Sequence, residues 1–304
     1  MNKPLFEELI GIVGAANVRA SEPLATHTTF KIGGPADIFV SPASIEEVSR
    51  VVVACEHAGE PWRVIGCGSD LLVDDAGVSG VVIEVRDNLS EIRVEGARIV
   101  AGAGATNAAV AEAACAAGLS GYEFACGIPG TLGGAAIMNA GAYDGEFSQV
   151  CASVTCVAPD GRVVEVPRSD AEWSYRGSMF DHARYIVVSA TLELSRANEA
   201  DVRARMDELT ERREAKQPLD MPSAGSTFKR PEGYYAAALI DEAGLRGLTV
   251  GGAQVSRKHT GFVVNAGGAT SADVRALIAE VQRRVREHSG VELSPEVRMW
   301  GRDA

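Results

Sequence analysis

The sequence predicts an α+β chain in two parts, and three observations carry that expectation. Short apolar or alternating segments of strand character are interleaved irregularly with segments of helical period. The middle of the chain holds an almost uncharged run, CGIPGTLGGAAIMNAGAYDGE from Cys126 to Glu146, too dense in glycine for an ordinary core element. After a helical segment at 201–216, Gln217-Pro218 stops the helix and a second set of apolar segments begins. The 304 residues accommodate more than one core, and the expected division is 1–198 and 199–304.

Each element has a local reason. MNKPLFEELIGIVG puts Leu5, Phe6, Leu9, Ile10 and Val13 on one helical face. Glu7 and Glu8 interrupt the apolar core that a signal peptide would need, so this segment reads as a docking helix. HTTFKIGGPADIFVSP reads as a strand pair around Gly33 and Gly34, and Ser44 with Glu47 forms a capping box for a helix closing at Gly59. A strand at 62–65, a loop GCGSDLLV at 66–73 and a strand at 81–85 follow. Residues 99–118 read as strand, turn and alanine-rich helix. Strands at 150–157 and 162–166 flank the turn Pro159-Asp160-Gly161, and a strand at 185–194 precedes the helix at 201–216. The helix at 273–288 repeats Val274, Leu277, Ile278, Val281 and Val285 at helical spacing.

Bulk properties narrow the function. A net charge of −12 and a pI near 5.0 oppose a general nucleic-acid or anionic-membrane surface, so an anionic ligand must meet local positive charge. The six cysteines, Cys55, Cys67, Cys115, Cys126, Cys151 and Cys156, form no C-x-x-C pair and read as free thiols of a reducing cytoplasm, with no metal site. No apolar stretch is long enough to span a bilayer.

Two short motifs invite a dinucleotide fold and fail its requirements. Gly66-x-Gly68 runs into Leu71-Leu72-Val73 instead of a helix, and Gly102-x-Gly104 has Asn107 where the third glycine belongs. The central run is a better cradle: Gly127, Gly130, Gly133, Gly134, Gly141 and Gly145 let backbone N–H groups approach a phosphate or a flat ring, beside Asn139 and Tyr143. A single glycine is more often only a turn. Six in one segment favour a cofactor.

These motifs resemble the UDP-N-acetylenolpyruvoylglucosamine reductase (MurB) family. The resemblance rests on the run at 126–146, GCGSDLL, Tyr175-Arg176 with Ser178 and Phe180, GS-x-FK-x-P at 225–231, LIDEAGLRG, GGAQVS, Lys258-His259 and LSPEVRMWG. It covers roughly residues 26–301, in the family's order. It implies a two-part FAD-binding domain of the vanillyl-alcohol-oxidase/PCMH type plus a C-terminal α+β substrate domain. Non-covalent FAD would be held by Gly66, Gly68, Ser69, Asp70 and Leu71 at its diphosphate. The rest of its site would be Gly127, Ile128, Pro129, Gly130, Gly133, Gly134, Asn139, Gly141 and Ala142. NADPH would be the hydride donor, and UDP-N-acetylglucosamine enolpyruvate the substrate, reduced to UDP-N-acetylmuramate for peptidoglycan synthesis.

The same resemblance implies Arg176, Ser226 and Glu296 as catalytic residues. Tyr175 would serve the substrate, and on charge grounds Lys216, with Lys229, Arg257 and Lys258 as weaker candidates, could offset its diphosphate on an otherwise acidic chain. Relatives commonly carry Asn at the positions of Asp70, Arg230 and Gly261, and many carry Glu at that of Ser294, so side-chain roles do not transfer there. The short interval between Arg176 and Ser226 matches the shorter form of the family, without a substrate-covering insertion. Each residue also has a plainer reading: a surface arginine, a turn serine, a solvated glutamate, a hydrogen-bonded His259. Two alternatives stand beside the reductase. A flavin oxidase or dehydrogenase of the same fold would not need GSTFKR or LSPEV, and a non-enzymatic nucleotide-binding module would not need the catalytic three.

Overall fold

A computed structural model describes residues 1–302 of the chain, arranged as two compact units that are each assembled from separate stretches. The first comprises Met1–Ala20, Ile38–Cys67 and Gly80–Arg213; the second comprises Ser21–Asp37, Gly68–Ser79 and the chain from Glu214 onward. This departs from the contiguous division at 198/199, whose last two residues lie outside the described ones. Two packing facts explain the difference. The helix Glu199–Lys216 commits Val202 and Met206 to the first core, while Phe30, Ile32 and Leu72, far upstream, belong to the second.

In the first unit an antiparallel five-stranded sheet runs in the order Val163–Pro167, Cys151–Val157, Ile186–Glu193, Arg98–Gly102, Ile92–Glu95. Ile186, Val188, Ala190 and Leu192 point into the core, and Val187 on the opposite face is buried as well, so the strand is covered on both faces at its start. A smaller sheet has the order Val18–Pro23, Pro35–Val40, Val78–Glu84, Trp62–Ile65, the last pair parallel. The strand pair expected around Gly33 and Gly34 is therefore a single strand there, its neighbour lying earlier, at Val18–Pro23. The N-terminal helix Lys3–Val13 buries Leu5, Leu9 and Val13 and packs on the helix Ile45–Ala58. Ser44 Oγ accepts the N–H of Glu47 at the start of that second helix, and Gly59 closes it in the left-handed conformation.

The second unit holds an antiparallel sheet in the order Ser223–Ser226, Phe262–Asn265, Ala253–Val255, Thr249–Val250. The helix Ser271–Ser289 supplies its core with Val274, Leu277, Ile278, Val281 and Val285. That helix starts on a full capping box between Thr270 and Asp273, and the Asp75 carboxylate accepts two further N–H groups, from Ser271 and Ala272, at 2.8 and 3.1 Å. Leu71–Val73, expected as the tail of a loop, is a strand parallel to Arg298–Trp300. No helix among the described residues is long and apolar enough to cross a membrane, and no group of three His, Cys, Asp or Glu among them could hold a metal ion.

Candidate active site

The central glycine run is less of a loop than its composition suggests. Thr131 Oγ1 caps a short helix, Leu132–Met138, that ends at Asn139 in the left-handed conformation. Of its six glycines only Gly130 has positive φ, at 113°. Four of the others, all but Gly134, serve close approach: a Cβ on Gly133 would lie 2.9 Å from the Ala103 Cβ, and one on Gly141 would lie 2.8 Å from the Gly145 carbonyl. Backbone bonds from Leu132 to Ala105 O (2.8 Å) and from Gly133 to Ala103 O (2.9 Å) pin the run to the turn after Gly102. Gly102 and Gly104 themselves press on the carbonyls of Leu89 and Arg86, a packing role that accounts for that glycine pair without any dinucleotide.

Gly66 meets the same run. A Cβ there would lie 2.6 Å from Thr131 Oγ1, so the start of the GCGSDLL loop and the cap of the Leu132–Met138 helix are in contact within the first unit. In the second unit Gly68 has φ 58° and leaves no room for a Cβ beside the His27 carbonyl, 2.4 Å away. Both loops therefore offer backbone at positions where no side chain fits, the feature a flavin nucleotide needs. Asp70 does not carry an uncompensated charge: its carboxylate faces the Arg298 guanidinium at 3.8 Å, and its carbonyl accepts the Arg298 N–H at 2.9 Å. Ser69 and Leu71 follow Gly68 in that unit. Burial pushes the Cys67 thiol above its ordinary range, and His27 is engaged with Glu22 at 2.9 Å.

Arg176 is held by the glycine run. It sits at φ 57°, in a tight turn closed by reciprocal backbone bonds between Ser174 and Gly177. Three side-chain bonds pin this turn: Asn139 Nδ2 donates to Ser174 O (3.2 Å), Ser178 Oγ to Ile137 O (2.9 Å), and Arg176 Nη2 to Gly141 O (3.2 Å). The left-handed backbone costs about 1–2 kcal/mol for a non-glycine residue, which these bonds offset. Asn139 also accepts the Ser148 N–H at 2.9 Å, so its buried amide binds two segments of the protein at once. Arg176 lies 4.9 Å over the ring of Tyr175, which is 53% exposed. The turn Tyr143-Asp144, with both φ values positive, joins Gly141–Ala142 to Gly145–Glu146. Among the remaining run positions, Ile128 packs on the first core and Pro129 is exposed.

Ser226 and Glu296 belong to the second unit. Ser226 ends the strand Ser223–Ser226 and is exposed. The segment carrying Glu296 runs alongside: Lys229 N–H donates to Ser294 O and Glu296 N–H to Thr227 O, at 2.9 and 2.8 Å. Lys229 and Lys216 are exposed, whereas Lys258 Nζ donates to Glu214 O at 2.5 Å in the last turn of the helix Glu199–Lys216, a favourable place for a cation. His259 accepts the Gly261 N–H at Nδ1 and lies edge-on to Phe262, and burial lowers its pKa from the ordinary imidazole value. It is the satisfied histidine of the plainer reading.

Comparison with known proteins decides the family. Residues 217–300 match the model of the UDP-N-acetylenolpyruvoylglucosamine reductase C-terminal domain, and residues 36–167 match that of an FAD-binding domain. A UDP-N-acetylenolpyruvoylglucosamine reductase of Lachnoclostridium phytofermentans is 48% identical over 305 residues, covering 99% of this chain and 98% of the relative. The chain belongs to the UDP-N-acetylenolpyruvoylglucosamine reductase family. A namesake from Syntrophomonas wolfei is 45% identical over 98% of this chain and 100% of its own. The crystal structure of the Thermus caldophilus reductase (MurB) superimposes with a TM-score of 0.80 at 34% identity, over 93% of this chain and 98% of that one. The chain is thus a flavin-dependent oxidoreductase of the shorter form, and FAD is its cofactor. Between Arg176 and the strand Ser223–Ser226 it has the helices Met179–His182 and Glu199–Lys216 and the strands Ile186–Glu193 and Ser195–Arg196.

Sequence reasoning overlooked Thr131, whose hydroxyl both caps a helix and meets Gly66; a threonine before an apolar helical run was the available signal. It also overlooked Arg213, the next residue of the buried helical stripe Val202, Met206, Leu209.

Proposed function

We propose that this protein reduces UDP-N-acetylglucosamine enolpyruvate to UDP-N-acetylmuramate with NADPH, in cytoplasmic peptidoglycan-precursor synthesis. FAD, which the backbone of the 66–71 loop and of the run from Gly127 to Ala142 would hold, would supply the hydride transfer from NADPH to the carbon β to the substrate carboxylate. Addition there leaves negative charge on an enolate, which must be stabilised and then protonated at the α carbon. Arg176, fixed by its turn, neutralises the carboxylate. Glu296 shares the enolate through a hydrogen bond, and Ser226 donates the proton to the α carbon. Serine is a weak acid, but an enolate carbon is a strong base, so placement governs this step. Tyr175 and the exposed Lys216 and Lys229 would contact the substrate, and Lys258 the diphosphate region while bonded to Glu214 O.

The backbone link between Glu296 and Thr227 is the observation that carries this reading, since it sets the segment of the glutamate beside the strand that ends at Ser226. An oxidase or dehydrogenase acting on another substrate would not need the side chains of GSTFKR and LSPEV that these two segments carry. Stopped-flow spectroscopy tests it: NADPH should bleach the yellow protein, and the enolpyruvyl sugar nucleotide should restore the colour. Bleaching without recovery would refute the assignment of substrate.

A further inference from the structure

Beyond Ser226 the chain stays bonded to the stretch that carries Glu296, through Thr227 and Lys229 and with Phe228 opposite Pro295. It then turns at Pro231, whose carbonyl accepts the Tyr234 N–H at 3.1 Å, and enters the helix Ala236–Glu242. Arg230 spans this turn: its Nε donates to the Tyr234 carbonyl at 3.4 Å, and its guanidinium carbon lies 4.1 Å from the centroid of the Tyr235 ring. Tyr235 occupies the position before the helix, where a short oxygen-bearing side chain would serve the open N–H groups, and it makes no capping bond. It is 63% exposed, the most exposed large apolar side chain among the described residues, and Tyr234 beside it is 49% exposed. Neither core packing nor capping accounts for an aromatic ring here. A ring steadied on one face by a guanidinium and open to solvent on the other is a platform for a flat ligand.

We propose that Tyr235, held by Arg230, stacks on the nucleobase of the sugar nucleotide. This rests on the reaction proposed above and adds a base subsite to it. Four residue steps separate Arg230 from Ser226, so their Cα atoms are no more than about 14 Å apart. The enolpyruvyl end at Ser226 and the base at Tyr235 are then the two ends of one ligand, and the exposed Lys229 between them meets the diphosphate. Arg230 acts on the ring and not on a phosphate: it fixes the orientation of Tyr235, so the ring loses little freedom when the base arrives.

The test measures UDP binding to the oxidised holoenzyme by calorimetry, without turnover. Tyr235→Ala should weaken UDP roughly five- to hundredfold, the range for loss of one stacked base. Tyr235→Phe keeps the ring and should bind as wild type does, and Arg230→Met, which leaves the ring unsteadied, should fall between them. With the enolpyruvyl substrate, Tyr235→Ala should need correspondingly more substrate for recolouring and reach the wild-type rate at saturation. Unchanged UDP binding in Tyr235→Ala, equal losses in the alanine and phenylalanine variants, or no UDP binding by wild type would overturn the proposal. So would a higher NADPH requirement for bleaching with UDP binding unaffected, which would give the platform to the adenine of the donor. Failure of wild type to recolour would sink the proposed reaction, whereas recolouring by Tyr235→Ala at the wild-type substrate concentration would sink the base subsite alone.

Discussion

The N–H of Glu296 donates to the carbonyl of Thr227 at 2.8 Å, which ties the C-terminal segment to the strand that ends at Ser226. Two residues seventy positions apart in sequence are thereby set on adjacent, hydrogen-bonded segments, and both are predicted to act in the same half-reaction. Ser226→Ala should leave bleaching by NADPH nearly intact and slow recolouring by the enolpyruvyl substrate roughly a hundred- to ten-thousandfold. Ser226→Cys should recover part of that rate. Turnover within a few-fold of wild type would make Ser226 a turn residue only.

Arg176→Ala and Glu296→Ala should each slow reoxidation by on the order of a hundredfold, because each removes stabilisation of charge that forms after hydride delivery. Wild-type reoxidation rates in both variants would withdraw those roles.

Asn139 supports Arg176 at one remove. Asn139→Ala leaves the buried Ser148 N–H without its acceptor, takes from the exposed Ser174 carbonyl one of its two donors and strains φ 40°, so a loss of about 2 kcal/mol or more is expected in urea unfolding. Asn139→Gly relieves the backbone but not the bonds, and should recover only part. Equal stability of the alanine variant and wild type would contradict the assigned hydrogen bonds.

Gly66→Ala and Gly68→Ala should differ in severity. At Gly66 the obstacle is a threonine side chain, whereas at Gly68 it is the His27 carbonyl and φ is 58°. Overpacking costs about 1–3 kcal/mol and the left-handed backbone about another 1–2 kcal/mol, so Gly68→Ala should lower Tm further. Both variants should retain less FAD on gel filtration, and full flavin content in both would remove these glycines from the cofactor site.

Stability should fall on the alkaline side. Burial raises the thiols of Cys55, Cys151 and Cys156 from 9.0 to about 12 in the folded protein. As pH climbs above 9 the unfolded thiols lose protons first, so the folded state loses stability progressively towards pH 12, by up to about 1.4 kcal/mol per thiol per pH unit. Replacing the three by alanine should flatten the slope of unfolding free energy in that range; an unchanged slope would assign it to other groups. In the native protein a thiol reagent should find Cys126, which is half-buried, before these three.

Much was determined by residue types in local patterns. The cap at Ser44, the left-handed stop at Gly59, the stripe Val274 to Val285 and the hairpin over Pro159-Asp160-Gly161 depend on neighbours within one or two turns, and all appear where the periodicity put them. The proposed catalytic positions stand out in the sequence because they lie in long ordered motifs. What only tertiary structure decided involves partners distant in sequence. Leu71–Val73 becomes a strand because Arg298–Trp300 pairs with it, and no local signal could say so. The helix Glu199–Lys216 joins the first core through two residues, Val202 and Met206, a choice its amphipathic pattern leaves open. The bonds of the Asn139 amide to Ser174 and Ser148, and the place of the half-buried Arg213 against Gly127, likewise join segments far apart in sequence. Periodicity encodes which face of an element is buried; it does not encode what lies on the other side.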